Sequence, residues 1–374
     1  MPLVRTILQR LITVLAAAAI MGPTPPAMAL DRAALNRSLA LDFAAPRYRV
    51  LADATAALRD AATGYCSRPD EGGLSVLRTA YDSAMDAWMT AQPMRLGPVT
   101  LDERLERLQF WPDKHNSGGR QYAQTLQAMD PATAAAVAAG EGTVALQGFP
   151  AFERLLFDEK VAPGDAADPS GKFRCDLLVA IATNLATIAA DTVREWGDAD
   201  AGFAKSIVAP GPTNPHFGDE REATAAFLGG FMTLLQVIAD QKLLRPLGED
   251  AESAKPKLAE SWRSGRSLRN IEMNLRSLRA MYDGAGEGKP VFSAALRETM
   301  EGNAFASVID DAFDRAIAAA TSAGAPLEQA IADPTRRPAI EELRIAVKDI
   351  QRLVSTHLPG PLGVSIGFNS LDGD

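Results

Sequence analysis

The chain has 374 residues, of which 47% are hydrophobic and 23% are charged, and its formal net charge is −9 at pH 7. This acidity argues against nucleic acid and anionic membrane surfaces as partners, because both are bound through clusters of basic residues. The length favours two domains, as expected for a globular chain of this size.

The first 29 residues have the pattern of a secretory signal. Arg5 and Arg10 give a positive start, residues 11–21 form a short apolar run, and Ala27 and Ala29 frame a small-residue cleavage site. Cleavage would yield an exported, periplasmic protein of net charge −11, because the segment carries two arginines and no acidic residue. The alternative is an uncleaved N-terminal anchor, although the run is short for a bilayer. No later stretch predicts a stable membrane span.

The chain contains two cysteines, Cys66 and Cys175. In the oxidising compartment that a secretory signal implies, an isolated pair of this kind predicts one disulfide. Two separate buried thiols are the alternative. Catalysis by a thiol is disfavoured, because neither cysteine has a histidine nearby in the sequence.

The sequence predicts helices nearly throughout, since alanine is abundant and no stretch of strict apolar alternation indicates a strand. The predicted helices before residue 209 cover 46–66, 74–92, 100–111, two short segments within 120–139 that separate at Pro131, and 173–196. A further helix carries Glu153. The segment 209–218, with sequence APGPTNPHFG, has the strongest linker composition in the chain.

Helices resume after this linker, and the predicted segments are 220–244, 267–282, 290–322 and 339–358. Each side of the linker thus carries about four substantial helices, which is typical of a bundle. The prediction is an all-α protein of two tandem four-helix-bundle-like domains. The first domain covers residues 30–210 and the second covers residues 211–374.

Several common catalytic patterns are missing. The three histidines, His115, His216 and His357, have neither HExxH spacing nor close neighbours among one another. The sequence also lacks a phosphate-binding glycine loop, a CxxC motif and an EF-hand pattern. An ordinary zinc hydrolase is therefore poorly supported.

Glu153 stands out inside the apolar stretch ALQGFPAFERLLFD at 145–158. It lies between Phe149 and Phe157 at four-residue spacing, so a helix would place it against the core. A buried carboxylate needs a cation, a metal or several hydrogen-bond donors. One interpretation is a structural ion pair with an arginine of another helix, for which Arg263 is a candidate.

Two other polar stretches and the C-terminus also attract attention. WRSGRSLRN at 262–270 holds Arg263, Ser264 and Asn270, and its alternative interpretation is a solvated helix face. FWPD at 110–113 holds Trp111 and Asp113, and its alternative is a packed helix corner. The tail 362–374 carries Val, Ile and Phe beside Asn and Asp, which predicts a docked segment.

Four stretches together resemble the imelysin-like family of exported bacterial proteins. They are FWPD at 110–113, GFPAFERLLFD at 148–158, WRSGRSLRNIEMNL at 262–275 and LGVSIGFNSLDGD at 362–374. The resemblance covers essentially the whole mature chain, and it implies two helical bundles with a functional site at their interface. The family is nominally a metallopeptidase group, and many of its members are associated with iron acquisition.

The resemblance is imperfect at the motif of the family, Gly-X-His-X-X-Glu. Gly148 and Glu153 match its glycine and glutamate, but Pro150 stands at the histidine position. A proline side chain cannot ligate a metal. The resemblance therefore implies a variant in which Glu153 faces the interdomain cleft and the cleft persists with altered chemistry.

Three hypotheses fit these observations. The first is a non-enzymatic protein of iron acquisition that binds a metal, a metal complex or a partner in the cleft. The second is a metal-dependent peptidase with Glu153 as general base or ligand. The third is a structural partner of a membrane-associated uptake or redox complex.

In the first hypothesis Glu153 and Asp113 supply oxygen ligands, which suit iron or another hard divalent or trivalent cation better than zinc. Arg263 and Ser264 contact an anionic group or hold Glu153. The candidate ligand-binding residues are Trp111, Asp113, Gly148, Glu153, Arg263, Ser264 and Asn270.

Overall fold

The computed structural model describes residues 30–157, 163–165, 168, 170–284, 291–298 and 300–365. All regular structure in these ranges is helical and none of it is strand, which confirms the all-α class. The predicted signal at 1–29 and the tail beyond residue 365 lie outside the described residues.

The first half of the chain forms helices whose apolar faces pack against one another. Its α-helices are Arg32–Arg37, Ala45–Ser67, Glu71–Ala91, Arg104–Leu108, Ser117–Ala128, Pro131–Ala138, Gly148–Phe157, Gly171–Trp196 and Gly202–Val208. A π-helical segment spans Ser38–Ala44, and 3₁₀ segments span Gly97–Glu103 and Val144–Leu146. The Ala45–Ser67 helix packs against both Glu71–Ala91 and Gly171–Trp196.

The prediction of one continuous helix over 100–111 is wrong. Asp102 and Glu103 adopt positive φ angles of 51° and 54°, which break the segment before the short Arg104–Leu108 helix begins. Arg104 fixes this bend, because its guanidinium donates to the carbonyl of Pro98 at 2.9 Å and to the Glu195 carboxylate at 2.6 Å. The tertiary anchor thus overrides the local helical pattern.

The second half begins with one long helical run. Its α-helices are Glu220–Gln236, Arg245–Leu247, Ser267–Asp283, Phe292–Arg297, Met300–Ser322, Leu327–Ala330, Arg337–His357 and Pro359–Leu362. A π-helical segment, Val237–Leu244, joins the first two, and a 3₁₀ segment spans Pro256–Leu258. The predicted helix over 290–322 is therefore two helices. The boundary at residue 210 stays a prediction.

The two halves share their core. The Glu71–Ala91 helix of the first half packs against Ser267–Asp283 of the second, and the buried apolar residues form one continuous cluster. The small helix Arg32–Arg37 also crosses between halves, because Asn36 donates to the carbonyl of Glu220 at 2.8 Å and accepts from Thr224 at 2.8 Å. This shared core holds fixed the surfaces that face each other across the junction.

Among the described residues, two helical stretches are long and apolar enough to cross a membrane by length and composition, Gly171–Trp196 and Glu220–Leu247. The sequence prediction that no such stretch exists after the signal is wrong on that criterion. In the fold, 72% and 67% of their apolar windows are buried inside the protein, which is how core helices of a globular protein behave.

The predicted disulfide is present. Cys66, at the end of the Ala45–Ser67 helix, bonds to Cys175 near the start of Gly171–Trp196, with a Cα–Cα distance of 5.5 Å. The bond joins residues 109 apart in sequence and ties the two long helices that carry most of the first half.

Candidate functional site

A cleft of about 440 Å³ opens where the two halves meet. One wall comes from the stretch 109–154 and the other from the stretch 245–263. Four aromatic side chains line it, namely Phe110, Trp111, Tyr122 and Trp262. Its size and apolar walls are those of a small-molecule site.

Glu153 lies in this cleft, and only 4% of the residue is exposed. Its Oε1 atom accepts two hydrogen bonds from Ser264, one from the backbone N–H at 2.9 Å and one from the hydroxyl at 2.7 Å. No hydrogen bond to Oε2 and no ion pair of Glu153 occurs within the described ranges. The interpretation of a direct pair with Arg263 is therefore wrong, because Ser264 takes that place.

Burial raises the pKa of the Glu153 carboxyl above its ordinary value. The two Ser264 hydrogen bonds and the charge of Arg263 oppose this rise, and the nearby carboxylate of Glu260 adds to it. Desolvation prevails because the donors come from a single residue and the arginine acts only at a distance. Glu153 is thus a carboxyl group whose charge is incompletely compensated by the protein.

A tight turn brings Ser264 to Glu153. Ser261 has a positive φ of 53°, and its carbonyl lies 3.1 Å from the Ser264 hydroxyl, which donates its single proton over the shorter distance to Glu153. Asn270 is fully buried behind the turn and donates to the Ser261 hydroxyl and to Glu260, both at 3.0 Å. Asn270 therefore holds the turn that carries Ser264, and it does not line the cleft.

Gly148 has a steric role at the start of the Gly148–Phe157 helix. Its φ is +76°, and an added Cβ would lie 2.4 Å from the carbonyl oxygen of Arg107 and 2.5 Å from that of Leu108. Only glycine permits this approach of two backbones. Gly148 is not among the cleft-lining residues, so it places the Glu153 helix without touching a ligand.

Asp113 lines the cleft, but its carboxylate caps the Ser117–Ala128 helix. Oδ1 accepts from the backbone N–H and the hydroxyl of Ser117 at 2.8 and 3.0 Å, and Oδ2 accepts from the N–H of Gly118 at 2.9 Å. Partial burial alone would raise the pKa of Asp113, but these hydrogen bonds outweigh it and lower the pKa. Both oxygens are thus engaged by the helix.

The side chains do not fit a metal ion held by protein ligands alone. Within the described ranges, no group of three or more His, Cys, Asp or Glu side chains comes together. Asp113 is committed to its helix and Glu153 to Ser264. Of the two predicted metal ligands, only Glu153 keeps an oxygen clear of hydrogen bonds in the described structure, and one oxygen does not make a metal site.

The charged side chains of the cleft are mostly basic. Among the described residues, Arg154, Arg245, Lys257 and Arg263 line it, against two acidic residues. Several of these cations rest on aromatic faces. The guanidinium of Arg263 lies 4.2 Å from the centre of the Trp262 ring, Lys257 Nζ lies 5.7 Å from the same ring, and Arg154 lies 5.3 Å from the ring of Tyr122.

The imelysin family model matches residues 44–354, which is most of the sequence. This chain belongs to the imelysin family. No curated protein matches the sequence of this imelysin-family chain.

Two crystal structures show the same fold. An imelysin-like protein from Psychrobacter arcticum 273-4 superposes with a TM-score of 0.72 at 20% identity, over 91% of this chain and 100% of that protein. A "putative iron-regulated protein A precursor" from Parabacteroides distasonis ATCC 8503 gives a TM-score of 0.71 at 18% identity, over 90% and 97%. At such identities the likeness extends to the fold and no further.

The structure brings together most of the predicted site residues of this imelysin-family chain. Trp111, Asp113, Glu153 and Arg263 line the cleft, and Ser264 bonds to Glu153. Gly148 and Asn270 support the cleft from behind. Pro150 also lines the cleft, on the same helix as Glu153.

Sequence analysis missed three cleft cations, Arg154, Arg245 and Lys257. Arg154 directly follows Glu153, but adjacent residues on a helix project in different directions, so helical geometry alone does not place both in the cleft. Arg245 and Lys257 lie in segments whose approach to the first half depends on the tertiary fold. No local pattern marks them.

Proposed function

We propose that this chain is an exported, non-enzymatic protein of iron acquisition that binds a metal complex or another small ligand in the cleft between its halves. Membership of the imelysin family supports the proposal. So do the name of the structural neighbour, which contains the words iron-regulated and precursor, and the signal pattern at residues 1–29. Periplasmic location is part of the proposal.

The observation that carries the proposal is the state of Glu153. A carboxylate with little exposure, bonded through one oxygen to a single serine, lies at a cleft with aromatic walls. A purely structural carboxylate would normally be paired with a cation or surrounded by donors. The unengaged oxygen of Glu153 can contact a ligand, including a metal whose other ligands come from outside the protein.

The peptidase hypothesis receives less support from this geometry. A metallopeptidase needs protein ligands that hold a metal and its activated water. Pro150 offers no ligand, and the described part of the chain brings no three-ligand group together. A membrane-associated uptake or redox protein remains a proposed partner, to which the bound metal complex would be passed.

Iron retention tests the proposal. Untagged protein is incubated with ferric citrate, freed of excess by gel filtration and analysed for iron by mass spectrometry. We expect the wild type to retain iron and Glu153→Gln to retain markedly less, because an amide oxygen is a weak ligand for a hard cation. Glu342→Gln, at an exposed position of the Arg337–His357 helix, is the matched control.

Two results would contradict the proposal. One is a wild type that carries no more iron than the control protein serum albumin treated in parallel. The other is retention that Glu153→Gln leaves unchanged, since iron would then bind elsewhere on the molecule.

A further inference from the structure

The charge of the cleft is opposite to the charge of the chain. The whole sequence is acidic, with a net charge of −9, whereas the described residues that line the cleft comprise four cationic side chains and two acidic ones. A concave surface that concentrates one sign of charge attracts ligands of the other sign. A bare metal cation would approach this cleft against its charge.

The two acidic residues do little to neutralise the cations. Asp113 gives both oxygens to the helix it caps, and Oε1 of Glu153 is taken by Ser264. Neither forms an ion pair with a cation among the described residues. The charges of Arg245 and Lys257 are therefore not paired with either of these two carboxylates.

Arg245 gives a second and independent indication. Its Nη1 atom is buried and has no hydrogen-bond partner within the described ranges. A guanidinium N–H group is a strong donor, and burying it unsatisfied costs free energy comparable to a lost hydrogen bond. Arg245 also lines the cleft, which places its guanidinium beside any anionic ligand that binds there.

Lys257 completes the pattern on the same wall. It is exposed, lies on the 3₁₀ segment Pro256–Leu258 and has no carboxylate partner in the described structure. The ring of Trp262, which both Lys257 and Arg263 approach, provides a flat apolar surface beside the charges. Such a wall suits a molecule that carries anionic oxygens on a small carbon skeleton.

We propose that the cleft is an anion site for a small organic polycarboxylate of the size and charge of citrate, held by Arg245 and Lys257 with Arg263 and Trp262 beside them. The planar fork of an arginine matches a carboxylate in two parallel hydrogen bonds. A cleft of about 440 Å³ accommodates a ligand of this size. The link of this anion to iron rests on the proposed function, in which the anion supplies the metal ligands that the protein lacks.

Titration calorimetry with citrate in the absence of iron tests the anion site by itself. We expect saturable binding by the wild type and a loss of about tenfold or more in affinity for Arg245→Gln and for Lys257→Gln, the usual effect of removing one charged hydrogen bond. Lys255→Gln is the matched control, because Lys255 is an exposed lysine two residues away and outside the cleft. It should bind citrate as the wild type does.

Two further measurements separate an anion site from a metal site. Raising the NaCl concentration should weaken citrate binding by the wild type more than by the Arg245→Gln/Lys257→Gln double variant, since salt screens the charges. Glu153→Gln should bind iron-free citrate at least as tightly as the wild type, because a negative charge has been removed. The same variant is expected to lose iron from ferric citrate.

The outcomes distinguish the two proposals. Citrate binding that depends on Arg245 and Lys257, without iron retention, would support the anion site and contradict the role in iron acquisition. Iron retention that is equal from ferric citrate and from the neutral trihydroxamate ferrichrome, and insensitive to both cation variants, would overturn the anion site and leave the iron role standing. Equal citrate binding by wild type and double variant would also overturn it.

Discussion

Glu260 and Glu153 are both buried where the two halves meet, but the protein compensates their charges differently. Glu260 forms an ion pair with the buried Lys242 at 2.8 Å. It also accepts hydrogen bonds from Asn270 and Gln109, each at 3.0 Å. Burial lowers the pKa of Lys242, and the charge and hydrogen bond of Glu260 oppose that change.

Glu153 receives two hydrogen bonds from one serine and no cation at bonding distance within the described ranges. Burying an ion pair is tolerable only when every lone pair and proton finds a partner, and Glu260 nearly meets that condition. Glu153 does not meet it, and its raised pKa is the consequence. The comparison therefore separates a carboxylate that stabilises the fold from one that, in the proposed function, contacts a ligand.

The largest effect is expected from breaking the Glu260 pair. Lys242→Met leaves Glu260 buried without its cation, which should lower the free energy of unfolding by about 3–5 kcal/mol in urea denaturation. Adding Glu260→Gln to this variant should restore part of the loss, because the uncompensated charge is removed.

Lys348→Met is the control for that experiment. Lys348 pairs with Asp240 at 2.9 Å, but the lysine side chain is 40% exposed. The loss should be at most about 1 kcal/mol. If the two lysine variants lose the same free energy of unfolding, the buried Lys242–Glu260 pair stabilises the fold no more than an exposed pair does.

A smaller effect is expected at Ser264. Ser264→Ala removes the 2.7 Å hydroxyl bond to Glu153 and keeps the backbone N–H donor. The expected loss is about 1.5–3 kcal/mol, the usual value for a hydrogen bond to a charged group. Ser355→Ala, at a half-buried serine whose hydroxyl bonds only to its own helix, should stay within about 0.5 kcal/mol of the wild type. If Ser264→Ala matches this control, the hydroxyl does not support the carboxylate.

The smallest effect concerns the charge of Glu153 itself. Glu153→Gln retains an Oε1 acceptor for Ser264 and has no charge to desolvate, so at pH 7 it should be at least as stable as the wild type. Each unit by which folding raises the pKa corresponds to about 1.4 kcal/mol. The difference in unfolding free energy between Glu153→Gln and the wild type therefore reports the size of the pKa rise.

The sign of the pH dependence follows from that rise. A carboxyl with a raised pKa stabilises the fold fully below its ordinary value of 4.5. This contribution is lost as the pH climbs through the raised value, because the unfolded chain releases the proton first. Unfolding curves of the two proteins should thus converge as the pH falls towards 4.5. A gap that widens on acidification would mean that Glu153 is charged and well compensated.

Much of the fold follows from local pattern, and part of the site does too. The helical periods of the long helices are set by neighbours in sequence, and the spacing of Phe149 and Phe157 predicts the burial of Glu153. The burial of Lys242 was not predicted, although its position gave a local signal. It lies four residues after the buried Ile238, on the apolar side of its helix.

The rest could not be read from sequence, because it depends on contacts between distant segments. Nothing local shows that Arg104 bends its own segment towards Glu195, or that Arg245 and Lys257 reach the wall opposite Glu153. The carboxylate of Asp113 in FWPD bonds to a helix that begins four residues later, which agrees with the interpretation of a packed helix corner. A role of this stretch in ligand binding stays a prediction.

The Arg32–Arg37 helix sets a condition on the order of folding. It is the first described segment to leave the ribosome, yet Asn36 bonds to Glu220 and Thr224, and Arg32 donates to the carbonyl of Leu362 at 2.9 Å. Its partners are synthesised at the middle and the end of the chain. The opening helix consequently completes its contacts only after the C-terminal helices have formed, and it then joins the start, the middle and the end of the chain.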